Sequence, residues 1–270
     1  MSAAPSMFIS HGSPMFALRP GELGPRLGAL GQRLPGVRAV LVVSPHWQTL
    51  GVRVMATTQP ATLHDFGGFP EALYGLHYAP PGAPGLAAEA ARRLAAAGFA
   101  VALDDRRGLD HGAWVPLLHL FPVAGIPVFQ VSMPVDLDTA GALRLGAALA
   151  PMREQGVLIV GSGSLTHNLN EFRQHVRDPE YAAQFAGWIR DAVVARDRDA
   201  LLGYRERAPQ ARRAHPTEEH YLPLLVALGA SDATDAVQHL AGGMTDGVLS
   251  MDSFAWGAPM AEPTRVAEAA

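Results

Sequence analysis

The sequence predicts an α/β protein: a single three-layer α/β/α domain around a central, mostly parallel or mixed sheet. Three observations carry this. Short apolar, β-branched runs alternate with helical spacings through most of the chain. Several of these runs are apolar throughout, as in Ala39–Val43, which marks strands covered on both faces. The 270 residues include 49% hydrophobic residues, enough for one sizeable core and more in keeping with one large domain than two.

In order, Met7–Ser10 reads as a first strand, and leucines at 23, 27, 30 and 34 predict a helix over Gly21–Leu34. Val37–Ser44 is the second strand, ended at Ser44 because Pro45 cannot donate to a ladder. Val52–Ala56 is the third, expected to pair antiparallel with the second because the connection is too short for a crossover helix. Thr57–Pro84 has little periodicity, and so long a loop inside a domain usually serves function or closes as a lid. Alanine-rich Gly85–Ala97 predicts a helix closed by Gly98, followed by a strand at Phe99–Leu103. A helix over Ala113–Phe121 would carry Pro116 in its first turn. A strand at Pro127–Ser132, a helix over Leu137–Met152 and a strand at Gly156–Gly161 follow. Helices are then predicted over Glu180–Leu202 and over Glu218–Leu228, the second capped by Thr217. Ala236–Leu240 and Gly247–Phe254 read as edge strands. Residues 1–256 form the expected catalytic domain, and 257–270 a small-residue tail, partly disordered.

Composition excludes several function classes. A net charge of −4 gives no reason to expect nucleic acid or an anionic membrane surface as partner. All 21 basic residues are arginine, so a lysine-bearing phosphate loop is absent. Without cysteine there is no disulfide, thiolate nucleophile or cysteine-based metal site, and a metal would need histidine and carboxylate ligands. The first residues lack the pattern of a signal peptide and no apolar stretch is long enough to span a bilayer, so a cytoplasmic protein is expected.

The chemistry lies in where the histidines fall. Three apolar strands run into His11-Gly12-Ser13-Pro14, Ser44-Pro45-His46-Trp47 and Ser162-Gly163-Ser164-Leu165-Thr166-His167-Asn168. Ligands of open α/β sheets bind at the carboxyl ends of strands. His11, His46 and His167 should therefore converge with His220, which the helix prediction puts in the first turn of its helix, as a metal site. Taken singly, each histidine is more simply a loop residue bonded to backbone; three behind three strands favour the metal. His111, after another strand, is either a helix-capping residue or a general acid/base. His64 and His77 sit in the long segment within possible reach of substrate; His119 reads as packed core, His175 and His239 as surface, His215 as a turn former. Trp47, Phe66, Phe69, Tyr74, Trp114 and Tyr221 are candidate pocket walls, with core packing the commoner alternative for each. Gly161-Ser162-Gly163 lacks the nucleophile-elbow spacing, which disfavours a serine hydrolase, and its glycines suggest a tight turn toward a ligand.

His11-Gly12-Ser13-Pro14, Ser44-Pro45-His46-Trp47, Asp110-His111-Gly112-Ala113-Trp114, Leu165-Thr166-His167-Asn168-Leu169 and Glu219-His220-Tyr221-Leu222-Pro223-Leu224 together resemble the motif set of class III extradiol ring-cleavage dioxygenases. Within that family the set is most similar to the DODA-type, or 4,5-DOPA extradiol dioxygenase, subgroup. The resemblance implies a LigB-like domain holding one divalent metal ion, Zn2+ or Fe2+, with Fe2+ expected for turnover. It implies that His11 and His46 are ligands, and that His220 is the late ligand of the subgroup; the wider family uses glutamate there, and Glu218 and Glu219 adjoin it. His167 matches both a further ligand and the base of other members, with His111 the second candidate acid/base. The implied reaction opens the ring of a DOPA-like or related catechol with O2. A zinc-dependent hydrolase and a histidine-held structural zinc protein are the alternatives.

Overall fold

The computed structural model describes residues 3–259. Their strands are β1 (Ser6–Ser10), β2 (Ala39–Thr49), β3 (Val52–Met55), β4 (Val101–Asp104), β5 (Val128–Pro134), β6 (Val157–Gly163), β7 (Val237–Leu240), β8 (Met244–Thr245), β9 (Leu249–Ser250) and β10 (Ser253–Trp256). Their principal helices are α1 (Leu23–Gln32), α2 (Glu71–Tyr74), α3 (Pro84–Ala96), α4 (His111–Leu120), α5 (Thr139–Leu149), α6 (Leu169–Arg173), α7 (Pro179–Ala195), α8 (Arg198–Leu202), α9 (Tyr204–Arg207), α10 (Ala211–Ala214) and α11 (Leu222–Ala230).

Eight strands form one mixed sheet in the order β4-β3-β5-β2-β6-β1-β10-β7. The central four, β5, β2, β6 and β1, are mutually parallel. The flanks reverse direction, β3 against β5 on one side and β10 against β1 on the other. Residues 39–43 of β2 and 157–160 of β6 are wholly buried, as strands covered on both faces must be.

Neighbouring residues of β6 identify the two covering layers. A Cβ on Gly161 would fall 1.9 Å from the Pro223 carbonyl oxygen of α11, whereas the adjacent Ser162 hydroxyl bonds the Gly112 carbonyl of α4. Successive strand side chains point to opposite faces, so α11 and α4 lie on opposite sides of the sheet. With α11 pack α5 and, through it, α3; with α4 packs α1. No helix among the described residues is long and apolar enough to cross a membrane.

Several expectations need correction. β2 does not end at Ser44. Val43 pairs with Val131 and the ladder resumes at Gln48 opposite Met133, so residues 44–47 bulge out. Pro45 sits in that bulge, where no ladder donor is needed, and the bulge aims His46 out of the sheet. β3 pairs with β4 and β5, not β2; Thr49 Oγ1 and the Arg53 N–H both bond Ser132 Oγ, tying the crossing chain to β5. The long segment carries the short α2 and an isolated bridge, Thr62 to Leu109.

The helix expected from Ala113 begins at His111, because Asp110 caps it by accepting the Ala113 N–H. Pro116 is therefore in the helix interior. The helix expected over Glu180–Leu202 breaks at Arg196, whose φ is +55°, and Asp197 caps the next helix. The helix expected from Glu218 begins at Leu222, with Pro223 in its first turn, so His220 precedes it. Of the two expected edge strands, β10 lies inside the sheet and β7 stands at its edge, with β4 at the other. At the start of the expected tail, the Gly257 N–H bonds the Ala236 carbonyl and Ala258 is buried. From residue 260 onward the tail lies outside the described residues.

Candidate metal centre and active site

The sheet delivers the first two histidines by pairing. The His11 N–H donates to the Gly163 carbonyl, carrying the β1–β6 ladder one step past β1 and holding His11 at its carboxyl end. The Gly163 position leaves the next approach open: a Cβ there would fall 2.3 Å from the His220 carbonyl oxygen, which accepts the Ser164 N–H at 3.1 Å. Gly161 and Gly163 thus serve close backbone approach rather than the tight turn expected of them; the strand runs straight through both. His46 enters from the bulge of β2.

α4 brings His111 alongside. Asp110 has no exposed side-chain surface and is held by the Gln130 amide at 2.8 Å and the Arg107 guanidinium at 3.1 Å. The same guanidinium donates to the His46 carbonyl and lies over the Trp47 ring. One buried network therefore fixes the start of α4 against the His46 backbone. At Gly112 a Cβ would stand 2.3 Å from Ser44 Oγ and 3.0 Å from the His46 ring, so only glycine lets the helix come this near.

The result is a cluster of five imidazoles. His11 Nε2 and His46 Nε2 are 3.1 Å apart. The ring centre of His111 lies 3.9 Å from that of His46, and that of His220 lies 5.2 Å from it. His167 stacks on His220 with ring centres 3.4 Å apart. All four residues proposed as ligands, and the second candidate acid/base, are thus brought together. The sequence reading left His111 out of the ligand set, yet its nitrogen lies within 4.8 Å of those of His11 and His46. His167, Glu219 and His220 form a second such group.

Burial, reinforced by the neighbouring imidazoles, pushes His11 and His220 well below the ordinary histidine range. Burial, then the charge of His111, brings His46 to about 4, and burial brings His167 to about 4 as well. These rings are neutral near neutral pH and offer lone pairs. Two Nδ1 atoms have hydrogen-bond partners of their own, Ser162 Oγ for His11 at 2.9 Å and Glu219 for His220 at 3.2 Å, and the Asp65 carboxylate stands 3.1 Å from His111 Nδ1 as an ionic contact. Buried His220 Nε2 has no partner among the described residues. Two nitrogens about 2.1 Å from one ion and about 95–105° apart stand roughly 3.1–3.3 Å from each other, the spacing seen for His11 and His46. Neutral imidazoles backed by polar partners, with an orphaned nitrogen among them, suit a divalent metal.

Glu218 faces Arg205 rather than the cluster. Asp65 was not anticipated. Its Oδ1 accepts the His111 backbone N–H and its Oδ2 faces the ring; burial alone would raise its carboxyl, but the hydrogen bonds and charge of His111 outweigh this and bring it to about 2.

A cavity of about 540 Å³ opens onto His46, His111, His167 and His220. Phe66, Phe69, Pro14, Leu169 and Leu249 supply apolar walls, and Arg173 is the one arginine among the described residues that line it. Of the other candidate walls, Trp114 and Tyr221 are core residues and Trp47 is buried under Arg107. Tyr74 stands behind Phe66. His64 and His77 do not line the cavity; His64 bonds the Leu76 carbonyl and packs on Trp114. His119 bonds the Phe16 carbonyl and His239 pairs with Asp252. His215, expected to shape a turn, is wholly buried beside Phe185 and Tyr221 and bonds the Leu165 carbonyl.

A family model described as the catalytic LigB subunit of aromatic ring-opening dioxygenase matches residues 7–245. The chain is 38% identical to a Beta vulgaris protein named 4,5-DOPA dioxygenase extradiol, over 92% of this chain and 95% of that one. It is 37% identical to an Escherichia coli K12 protein of the same name, over 92% of each. A crystal structure titled as an uncharacterized protein of Escherichia coli K12 superposes with a TM-score of 0.78 at 32% identity, covering 93% of this chain and 99% of that one. These likenesses do not favour the zinc hydrolase alternative. With its histidine cluster set at the carboxyl ends of the central strands, the chain belongs to the LigB family of aromatic ring-opening dioxygenases and is an extradiol ring-cleaving enzyme that uses a metal, O2 and an aromatic substrate.

Proposed function

We propose that the substrate is a catechol carrying a carboxylate, DOPA or a close relative, and that the metal used in turnover is Fe(II). The relatives named above carry DOPA in their names, and DOPA is a catechol with an amino-acid side chain. The observation that carries the reading is the composition of one cavity: four histidines, aromatic side walls and, among the described residues, a single arginine, Arg173.

We assign His11, His46, His167 and His220 to holding the metal. Once bound, a divalent metal lowers the pKa of the two chelating hydroxyls, and iron, unlike zinc, adds the redox chemistry that O2 requires. The protein's own groups do the rest. Phe66 and Phe69 flank the space for the catechol ring and exclude water from it. His111 takes a hydroxyl proton at Nε2, and the Asp65 carboxylate, 3.1 Å from Nδ1 on the other side of the ring, stabilises the resulting imidazolium. His167, stacked on His220 at the cavity wall, either holds the metal or accepts the second hydroxyl proton, since one lone pair cannot do both at once. Arg173 receives the substrate carboxylate and so orients the ring for cleavage beside the hydroxyl-bearing carbons.

Metal titration of single variants tests the assignment. His11→Ala, His46→Ala and His220→Ala should each lose stoichiometric Fe(II) and Zn(II) binding. Retention of the metal with full oxygen uptake in His11→Ala or His46→Ala would overturn it.

A further inference from the structure

We propose that Ser162 is a positioning residue that decides which nitrogen of His11 is free to face the metal, and that Pro116 commits it to that task. The inference rests on the reading of His11 as a ligand.

Pro116 is the sixth residue of α4 and has no N–H. In a regular helix that N–H would bond the carbonyl four residues back, which is Gly112. The Gly112 carbonyl is buried and would be left unpaired. Ser162 Oγ, reaching from β6 on the facing sheet, donates to it. A serine hydroxyl has one hydrogen. With that hydrogen spent on Gly112, Ser162 Oγ only accepts from His11 Nδ1, 2.9 Å away. His11 therefore carries its proton on Nδ1 and presents a lone pair at Nε2, the atom 3.1 Å from His46 Nε2. Ser162 has no exposed surface and His11 is 1% exposed, so water does not substitute for either bond. A break in one helix thus selects the tautomer of a ligand on the opposite strand.

The two bonds of Ser162 can be separated. Ser162→Ala removes both. Pro116→Ala, added to it, returns a helical N–H to the Gly112 carbonyl but gives His11 Nδ1 no acceptor. Ser162→Ala should lower Zn(II) affinity, measured by competition with a chromophoric chelator, by about 10–100-fold. It should also lower the melting temperature of the metal-free protein. The double variant should recover much of the melting temperature and none of the affinity. Affinity recovering together with stability would show that Ser162 only satisfies the helix. Unchanged affinity in Ser162→Ala would also overturn the proposal. Should that variant fail to fold, long-range 1H–15N spectra of the parent metal-free protein decide: a proton on His11 Nδ1 is expected, and one on Nε2 contradicts it. Parent-like Zn(II) affinity in His11→Ala would instead defeat the ligand assignment.

Discussion

Asp65 grips His111 at two points: one carboxylate oxygen accepts the backbone N–H at 2.9 Å and the other stands 3.1 Å from ring Nδ1. The grip fixes the ring and leaves Nε2 as its free nitrogen. A base that becomes an imidazolium during turnover gains most from such a carboxylate. Asp65→Asn should lower kcat by about 100-fold or more while leaving metal affinity within a few-fold of the parent. Steady-state kinetics beside a metal titration separates the two. Equal loss of both would mean that Asp65 supports only the fold of the site.

Arg173 should matter only to substrates with something for it to hold. A charged hydrogen bond is worth about 1.5–3 kcal/mol, or roughly 10–150-fold in affinity. Arg173→Met should raise KM for DOPA by about 10-fold or more and leave plain catechol nearly unaffected. An equal change for both substrates would remove Arg173 from carboxylate recognition.

Gly112 sets the distance between α4 and the bulge of β2. A Cβ there meets Ser44 Oγ at 2.3 Å and the His46 ring at 3.0 Å, so Gly112→Ala must displace one of them. Metal affinity should fall by about 10-fold or more, as for other losses of ligand orientation. A variant with parent-like affinity would mean that His46 is less closely held than its contacts imply.

The histidine cluster also makes stability depend on pH. His46 and His167 titrate at about 4 in the folded chain against 6.5 in an ordinary setting, and His215 at about 3. The unfolded chain therefore binds more protons between those limits, and stability rises with pH through this window. Metal-free protein should have its full stability above about pH 6.5 and lose it steadily as pH falls toward 4. Urea unfolding at several pH values measures this; a flat profile from pH 7 to 4.5 would contradict it.

How far the sequence reached follows from what kind of contact each feature depends on. β2 and β6 were legible because strands buried on both faces must be apolar throughout. His11 and His167 were legible because each follows such a strand, and His46 because it follows the apolar first half of β2. Asp65 was not, since it lies in a segment without periodicity and meets His111 across 46 residues of chain. In sequence Ser162 invites only a nucleophile or phosphate-loop reading; its hydrogen bond to Gly112 depends on where Pro116 falls in α4, and that on Asp110 capping the helix. The ladder past Pro45 and the start of α11 went astray over proline. In β2 the bulge accommodates it, and in α11 it marks the first turn.

Oxygen uptake by defined metal forms shows whether these histidines hold a redox-active metal for ring opening. Metal-free protein, reconstituted anaerobically with Fe(II) or with Zn(II), is offered DOPA, protocatechuate or plain catechol and then O2. One O2 consumed per catechol, with a ring-opened semialdehyde absorbing in the visible, is expected from the iron form alone and best with DOPA. No uptake with any catechol by protein carrying stoichiometric iron at the histidines would mean that the cluster does not serve ring opening.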